Sequence, residues 1–127
     1  QALAIDPAYP EARFNRAAAH FELANYQAAI HDFDQVITQD PAHAESYYLR
    51  AAAYMLLDQI ERSIDGFGRA VALDPGHSSA HFRRAFAYIK LGRDAEAEPD
   101  IDWLVKVLGV DEAIVRERLY LMINSSP

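Results

Sequence analysis

The dipeptide Asp-Pro occurs at residues 6–7, 40–41 and 74–75, a constant 34-residue period. A fixed period of that length belongs to helix–turn–helix units that cannot bury an apolar face alone and must stack on copies of themselves. Other positions keep the same register. Arg16-Ala17-Ala18, Arg50-Ala51-Ala52 and Arg84-Ala85-Phe86 are related by it, as are Phe14, Tyr48 and Phe82, and Phe33, Phe67 and Ile101. His20, Tyr54 and Tyr88 share one slot, and Ala29, Ser63 and Ala97 another.

Apolar residues recur at steps of three and four, the spacing of one helix face. The pattern predicts helices over Glu11–Leu23, Tyr26–Ile37, Glu45–Leu57, Ile60–Leu73 and Ser79–Leu91. Asp40-Pro41 and Asp74-Pro75 end two of them, because proline brings no amide donor and pushes its predecessor out of helical geometry. Gly92 ends another, as the residue best suited to a left-handed cap. A sixth helix lies within Ala95–Leu108, with Pro99 inside it. Proline is tolerated in a first turn, so a late start or a kink near Glu98 is expected. A seventh, Glu112–Ile123, would cover the open edge of the stack before a tail at Asn124–Pro127.

At 127 residues and 51% hydrophobic, the chain has the size and apolar content of one packed domain. No apolar run approaches the ~20 residues of a membrane span, and no membrane association is expected. Nothing resembles a signal peptide, which leaves the cytoplasm as a default. Cysteine is absent, so disulfides and thiolate metal sites are excluded. A net charge of −7 disfavours a nucleic-acid backbone, which calls for a basic stripe. Gln1–Pro7 lines up with Arg69–Pro75. The expectation is therefore a segment that opens inside the second helix of a repeat and is cut from a longer array.

Ala29, Phe33 and Pro41, then Tyr54, Phe67, Ala70 and Pro75, then Tyr88 and Ala97 fit a W-x2-L-G-x2-Y…A-x3-F…P pattern. On these residues the chain resembles the tetratricopeptide repeat family. It departs at the tryptophan slot (Arg13, Tyr47, His81), the leucine slot (Arg16, Arg50, Arg84) and the glycine slot (Ala17, Ala51, Ala85). The resemblance implies an all-α solenoid of antiparallel helix pairs in a right-handed superhelix of about seven helices. It divides the chain into the end of a preceding repeat (1–9), three repeats (10–43, 44–77, 78–109) and a capping helix with tail (110–127).

The resemblance also implies a concave wall built from the first helix of each pair. On it would stand Phe14, Asn15 and Phe21, then Tyr48, Leu49 and Met55, then Phe82, Arg83, Phe86 and Ile89. One branch of the family clamps a chaperone's terminal carboxylate there. The matching slots hold Phe14, Ala18, Leu49, Ser79 and Arg83, of which only Arg83 fits. An asparagine ladder is absent too, its slots holding Asn15, Leu49 and Arg83. What remains is an aromatic ladder of Phe14, Tyr48 and Phe82. It either packs between neighbouring helices or anchors an extended peptide or helix with apolar side chains. The expected function is a protein–protein interaction scaffold, with self-association through Gln1–Ile5 and Glu112–Ile123, giving a homodimer, as the alternative.

The three repeated arginines admit two roles. They grip a ligand carboxylate, or they brace each hairpin against Asp32, Asp65 or Asp100, with their stems over apolar surface. Bracing is the expectation, because the slot is a packing slot in the family. His77 and His81 have a spacing compatible with zinc, but His77 lies in a turn and no metalloprotease glutamate accompanies them. No metal or other cofactor is expected. Gly66-Phe67-Gly68 follows no strand and is not a phosphate loop; it weakens its helix by about 1 kcal/mol per glycine. No serine sits in a nucleophile elbow, and no enzymatic activity is expected.

Overall fold

The computed structural model describes residues 9–125. The half-helix expected at Gln1–Ile5 lies outside them. Seven helices form the described chain: α1 (Pro10–Glu22), α2 (Tyr26–Gln39), α3 (Ala44–Leu56), α4 (Ile60–Leu73), α5 (Ser78–Lys90), α6 (Asp94–Lys106) and α7 (Glu112–Ser125). Among the described residues there is no strand, and no helix is long and apolar enough to cross a membrane.

Alanine sets how the helices pair. Ala17, Ala51 and Ala85 are fully or almost fully buried, as are Ala29, Ala70 and Ala97. A methyl side chain lets backbones approach closely. Between them Phe33, Phe67 and Ile101 fill the interior, each at most 1% exposed. α1 pairs with α2, α3 with α4 and α5 with α6, and each hairpin stacks on the next through α2 with α3 and α4 with α5. The first helices also touch across hairpins, α1 with α3 and α3 with α5, whereas α2, α4 and α6 do not touch one another. The stack therefore curves with its first helices inside. This is an α-solenoid of helical hairpins.

Each hairpin turns through a left-handed residue. Ala24 (φ 62°), Asp58 (φ 62°) and Gly92 (φ 75°) occupy this slot, one in each repeat. The amide of the following residue reaches back into the last turn of the helix, as in Asn25 N–H to His20 O at 2.8 Å and Arg93 N–H to Tyr88 O at 2.8 Å. Between hairpins a histidine caps the next helix. His43 Nδ1 accepts from Ser46 N–H at 3.2 Å, His77 Nδ1 from Ala80 N–H at 3.1 Å, and Asp111 Oδ1 takes the same place for Ile114 N–H at 3.2 Å.

Two expectations are corrected. α6 does not start late: it begins at Asp94 and runs through Pro99. Pro99 and Ala95, whose carbonyl the missing amide would have met, are both away from the core, so solvent can take that carbonyl. On the opposite face Ala97, Asp100, Ile101 and Leu104 are buried and pin the helix. Gly66 is more than a weak point in α4. A Cβ there would lie 2.8 Å from the Ala51 Cβ and 3.1 Å from the Tyr47 carbonyl oxygen. Glycine is what lets α3 and α4 touch.

Candidate interaction groove

Two of the three repeated arginines brace their own hairpin. Arg16 holds Asp32 through Nε and Nη2, both at 2.8 Å. Arg84 holds Asp100 the same way, at 2.8 and 2.7 Å. Both carboxylates are buried, Asp32 at 3% and Asp100 at 2% exposure. The hydrogen bond to Asp32 raises the Arg16 guanidinium above its ordinary pKa, and that to Asp100 raises Arg84. Arg50 differs from the expectation. Asp65 is exposed and, among the described residues, reaches only Arg69, at 4.0 Å. The residue in register with Asp32 and Asp100 is Gly66, which has no carboxylate. Arg50 turns back instead to Asp34 on the preceding hairpin, at 2.6 Å.

His77 and His81 have structural employment. His77 places Nε2 3.0 Å from a Glu45 carboxylate oxygen while its Nδ1 caps α5. His81 is buried and stacked on Trp103 with centroids 3.9 Å apart and planes 9° from parallel. Its Nδ1 lies 2.9 Å from Asp100 Oδ1, and its Nε2 lies 3.0 Å from the Pro75 carbonyl oxygen. The two rings serve different partners.

The aromatic ladder is half absorbed into packing. Phe14 lies against Phe33 and His43, with centroids 5.9 and 4.8 Å away. Tyr48 repeats this against Phe67 and His77, at 5.7 and 4.4 Å, and its hydroxyl accepts from Arg83 Nε at 2.9 Å. Phe82 has Ile101 and Asp111 in the corresponding slots, neither of them aromatic. It lines clefts beside α7 instead. Phe21 packs on Tyr26, with centroids 5.5 Å apart. Leu49 packs on the core of the first hairpin and Ile89 on the larger core of the rest. Asn15 is exposed, in a shallow recess with Tyr9 at the start of α1.

Met55, Arg83 and Phe86 converge. With Leu56, Ile60 and Met122 they line a cleft of about 540 Å³ between α3, α5 and α7. Lys90 and Asp58 line it as well, and the Lys90 Nζ lies 6.0 Å from the Phe86 ring centroid. The floor is apolar, and the rim carries two cations and the exposed Asp58 carboxylate. Lys90 belongs to the wall that the resemblance implies, whereas Met122 was not among the expected site residues. Its signal was the alignment of α7 with the first helices: Met122 stands one repeat after Tyr88. α7 is held across the cleft by Val115 and Leu119, both buried, and by Arg116, which donates to Glu98 at 2.8 and 3.1 Å and to Glu112 at 2.9 Å. The Arg116 hydrogen bond holds the Glu98 carboxyl below its ordinary pKa.

Hairpins stacked at a 34-residue period, with first helices lining the inner face, define a helical-repeat scaffold. The chain belongs to the tetratricopeptide repeat family: models of that repeat match residues 10–43 and 44–77. Among solved structures, the chain is similar to the TPR domain of Arabidopsis OM64, with a TM-score of 0.76 and 21% identity over 91% of this chain and 98% of that one. It is similar to the second TPR domain of Spaghetti (RPAP3), solved with the HSP90 peptide SRMEEVD, with a TM-score of 0.71 and 28% identity over 76% of this chain and 89% of that one. It is also similar to MamA from Desulfovibrio magneticus RS-1, with a TM-score of 0.69 and 26% identity over 74% of this chain and 53% of that one. The chain thus spans about half the length of the MamA structures it matches. Comparison with curated proteins gave no significant match.

Proposed function

We propose that this chain is a protein–protein interaction scaffold that takes a peptide or helix of a partner in the groove between α3, α5 and α7. The family's fold typically serves as a non-enzymatic interaction scaffold, and the similar Spaghetti domain was solved with a peptide bound. The observation that carries the reading is the cleft itself, with Met55, Phe86 and Met122 facing one space beneath Arg83 and Lys90. An apolar side chain of the partner enters the floor, and an acidic group beside it meets the rim cations. Phe14 and Tyr48 serve packing between hairpins rather than act as anchors.

The test leaves the core alone. Leu56 is 52% exposed at the cleft mouth and Lys90 is partly exposed, so Leu56→Glu with Lys90→Glu alters the cleft without removing packing. Capture of partners by the wild-type chain, read by mass spectrometry, is expected to lose at least one protein with this variant at unchanged helicity. Identical captures by both chains would place recognition elsewhere.

A further inference from the structure

His81 is placed where a neutral ring cannot satisfy its neighbours. It is 5% exposed, and both of its ring nitrogens face acceptors. Nδ1 lies 2.9 Å from Asp100 Oδ1 on α6, and Nε2 lies 3.0 Å from the Pro75 carbonyl oxygen in the joint between α4 and α5. A peptide carbonyl only accepts. Asp100 only accepts as well, because Arg84 holds its two oxygens at 2.7 and 2.8 Å, the bidentate grip of a carboxylate. A neutral imidazole carries one N–H and serves one of these acceptors; an imidazolium carries two and serves both. The charge has what burial demands: a carboxylate partner, a hydrogen bond at each nitrogen, and the Trp103 ring stacked 3.9 Å away. In sequence the constellation belongs to the third hairpin alone. The earlier repeats hold Arg13 and Tyr47 in the His81 slot, and Gln35 and Arg69 in the Trp103 slot.

We propose that His81 is a proton-operated clamp at the joint between the second and third hairpins. Doubly protonated, it ties α6 to the Pro75 carbonyl; on losing the Nε2 proton it keeps Asp100 and releases Pro75. A bare Nε2 sets a lone pair against the carbonyl oxygen 3.0 Å away, and two buried acceptors left facing each other are costly enough to part the joint. The groups around the ring leave its proton as the one that moves on the alkaline side. Arg84 is committed to Asp100. His77 caps α5 through an unprotonated Nδ1 and meets Glu45 of α3 through Nε2, so its cap responds to acid instead. Asp74 opens the joint, and residues 70–73, the last turn of α4, include no titratable side chain. Asp102 and Lys106 of α6 are exposed, and Arg116 of α7 is tied to Glu98 and Glu112. Folding favours the proton on His81. The clamp's contribution is therefore present on the acid side and is lost as pH rises through the titration of the ring in the folded chain. The clamp lies at the start of α5, the helix that carries Arg83, Phe86 and Lys90, so the proton bears on how that helix is set against α3. It does not rest on the groove reading, and the two fail separately, since the clamp is measured with no partner present.

Proton–nitrogen correlation spectra of the imidazole rings in the 127-residue chain, followed through a pH titration, are the test. The expected result is a His81 ring with both nitrogens protonated at neutral pH. On raising the pH it should lose the Nε2 proton, and the Gly76 amide beside Pro75 should shift with it. Trp103 is the single tryptophan of the chain, so its emission gives a second reading. An imidazolium stacked on indole quenches it more strongly than a neutral ring does, so emission should rise over the same pH interval. His81→Gln cannot titrate and should lose that rise, with circular dichroism checking its helicity. A His81 ring that carries a single proton at neutral pH would overturn the proposal. So would a ring that gives up its proton while the Gly76 amide and the Trp103 emission stay unmoved, or an emission rise that survives in His81→Gln. The wild-type ring and amide spectra decide the matter even where the variant fails to fold.

Discussion

Asp100 takes three close approaches on two oxygens while 2% exposed, and Asp34 accepts one while half exposed. The difference decides what each ion pair contributes. A buried pair cut on one side leaves an uncompensated charge, which costs about 3–5 kcal/mol. An exposed pair contributes about 1 kcal/mol or less. Asp100→Ala should therefore lower unfolding stability several times more than Asp34→Ala, as read from denaturant midpoints. Equal losses would mean that Asp100 is not held as described. The bracing of Arg16 and Arg84 was legible in the sequence, because the arginines fall in a packing slot of the family and Asp32 and Asp100 stand on the neighbouring helices. The partner of Arg50 was not foreseen, although the offset contained the clue. One repeat on from Asp32 stands Gly66, so no carboxylate waits there and the arginine has to look elsewhere.

Two glycines two positions apart make opposite demands on α4. Gly66 faces Ala51 at a distance no side chain can share, whereas a Cβ on Gly68 would meet only Arg84 Nη1, at 3.4 Å, an ordinary van der Waals contact. Gly66→Ala should destabilise the chain by about 1–3 kcal/mol despite the better helix propensity of alanine. Gly68→Ala should stabilise it by about 0.5–1 kcal/mol. Thermal or denaturant unfolding of the two variants checks the contrast, and matching signs would refute the close contact. Helix positions were readable from periodicity and proline, since local chemistry sets them. The Gly66 contact and the passage of α6 through Pro99 were not, because each depends on which face a neighbouring helix covers.

At the scale of the molecule, α7 completes the cleft, and one exposed pair helps to hold it. Arg116 depresses the Glu98 carboxyl pKa through its hydrogen bond. A depressed folded value means that the carboxylate is favoured by folding. The contribution is complete above the unfolded value of ~4.3 and is lost as pH falls through the folded one. Amide shifts of α7 should therefore show an acid inflection below ~4.3 that Glu98→Gln removes. An inflection that survives in Glu98→Gln would assign the change to other carboxylates. The inner wall was placed by family resemblance, and the structure brings Met55, Arg83 and Phe86 of that wall into one space. Phe14 and Tyr48 went into packing because His43 and His77 rise beside them from the joints between hairpins, a contact that needs the stack to exist first. The central claim is that the groove between α3, α5 and α7 is where a partner sits. The most direct measurement is amide chemical-shift mapping of the chain against a partner segment identified by capture. Shifts concentrated at Met55, Phe86, Lys90 and Met122, with α2 and the outer face of α4 unmoved, are the predicted result. Shifts confined to α2, α4 and α6 would contradict it.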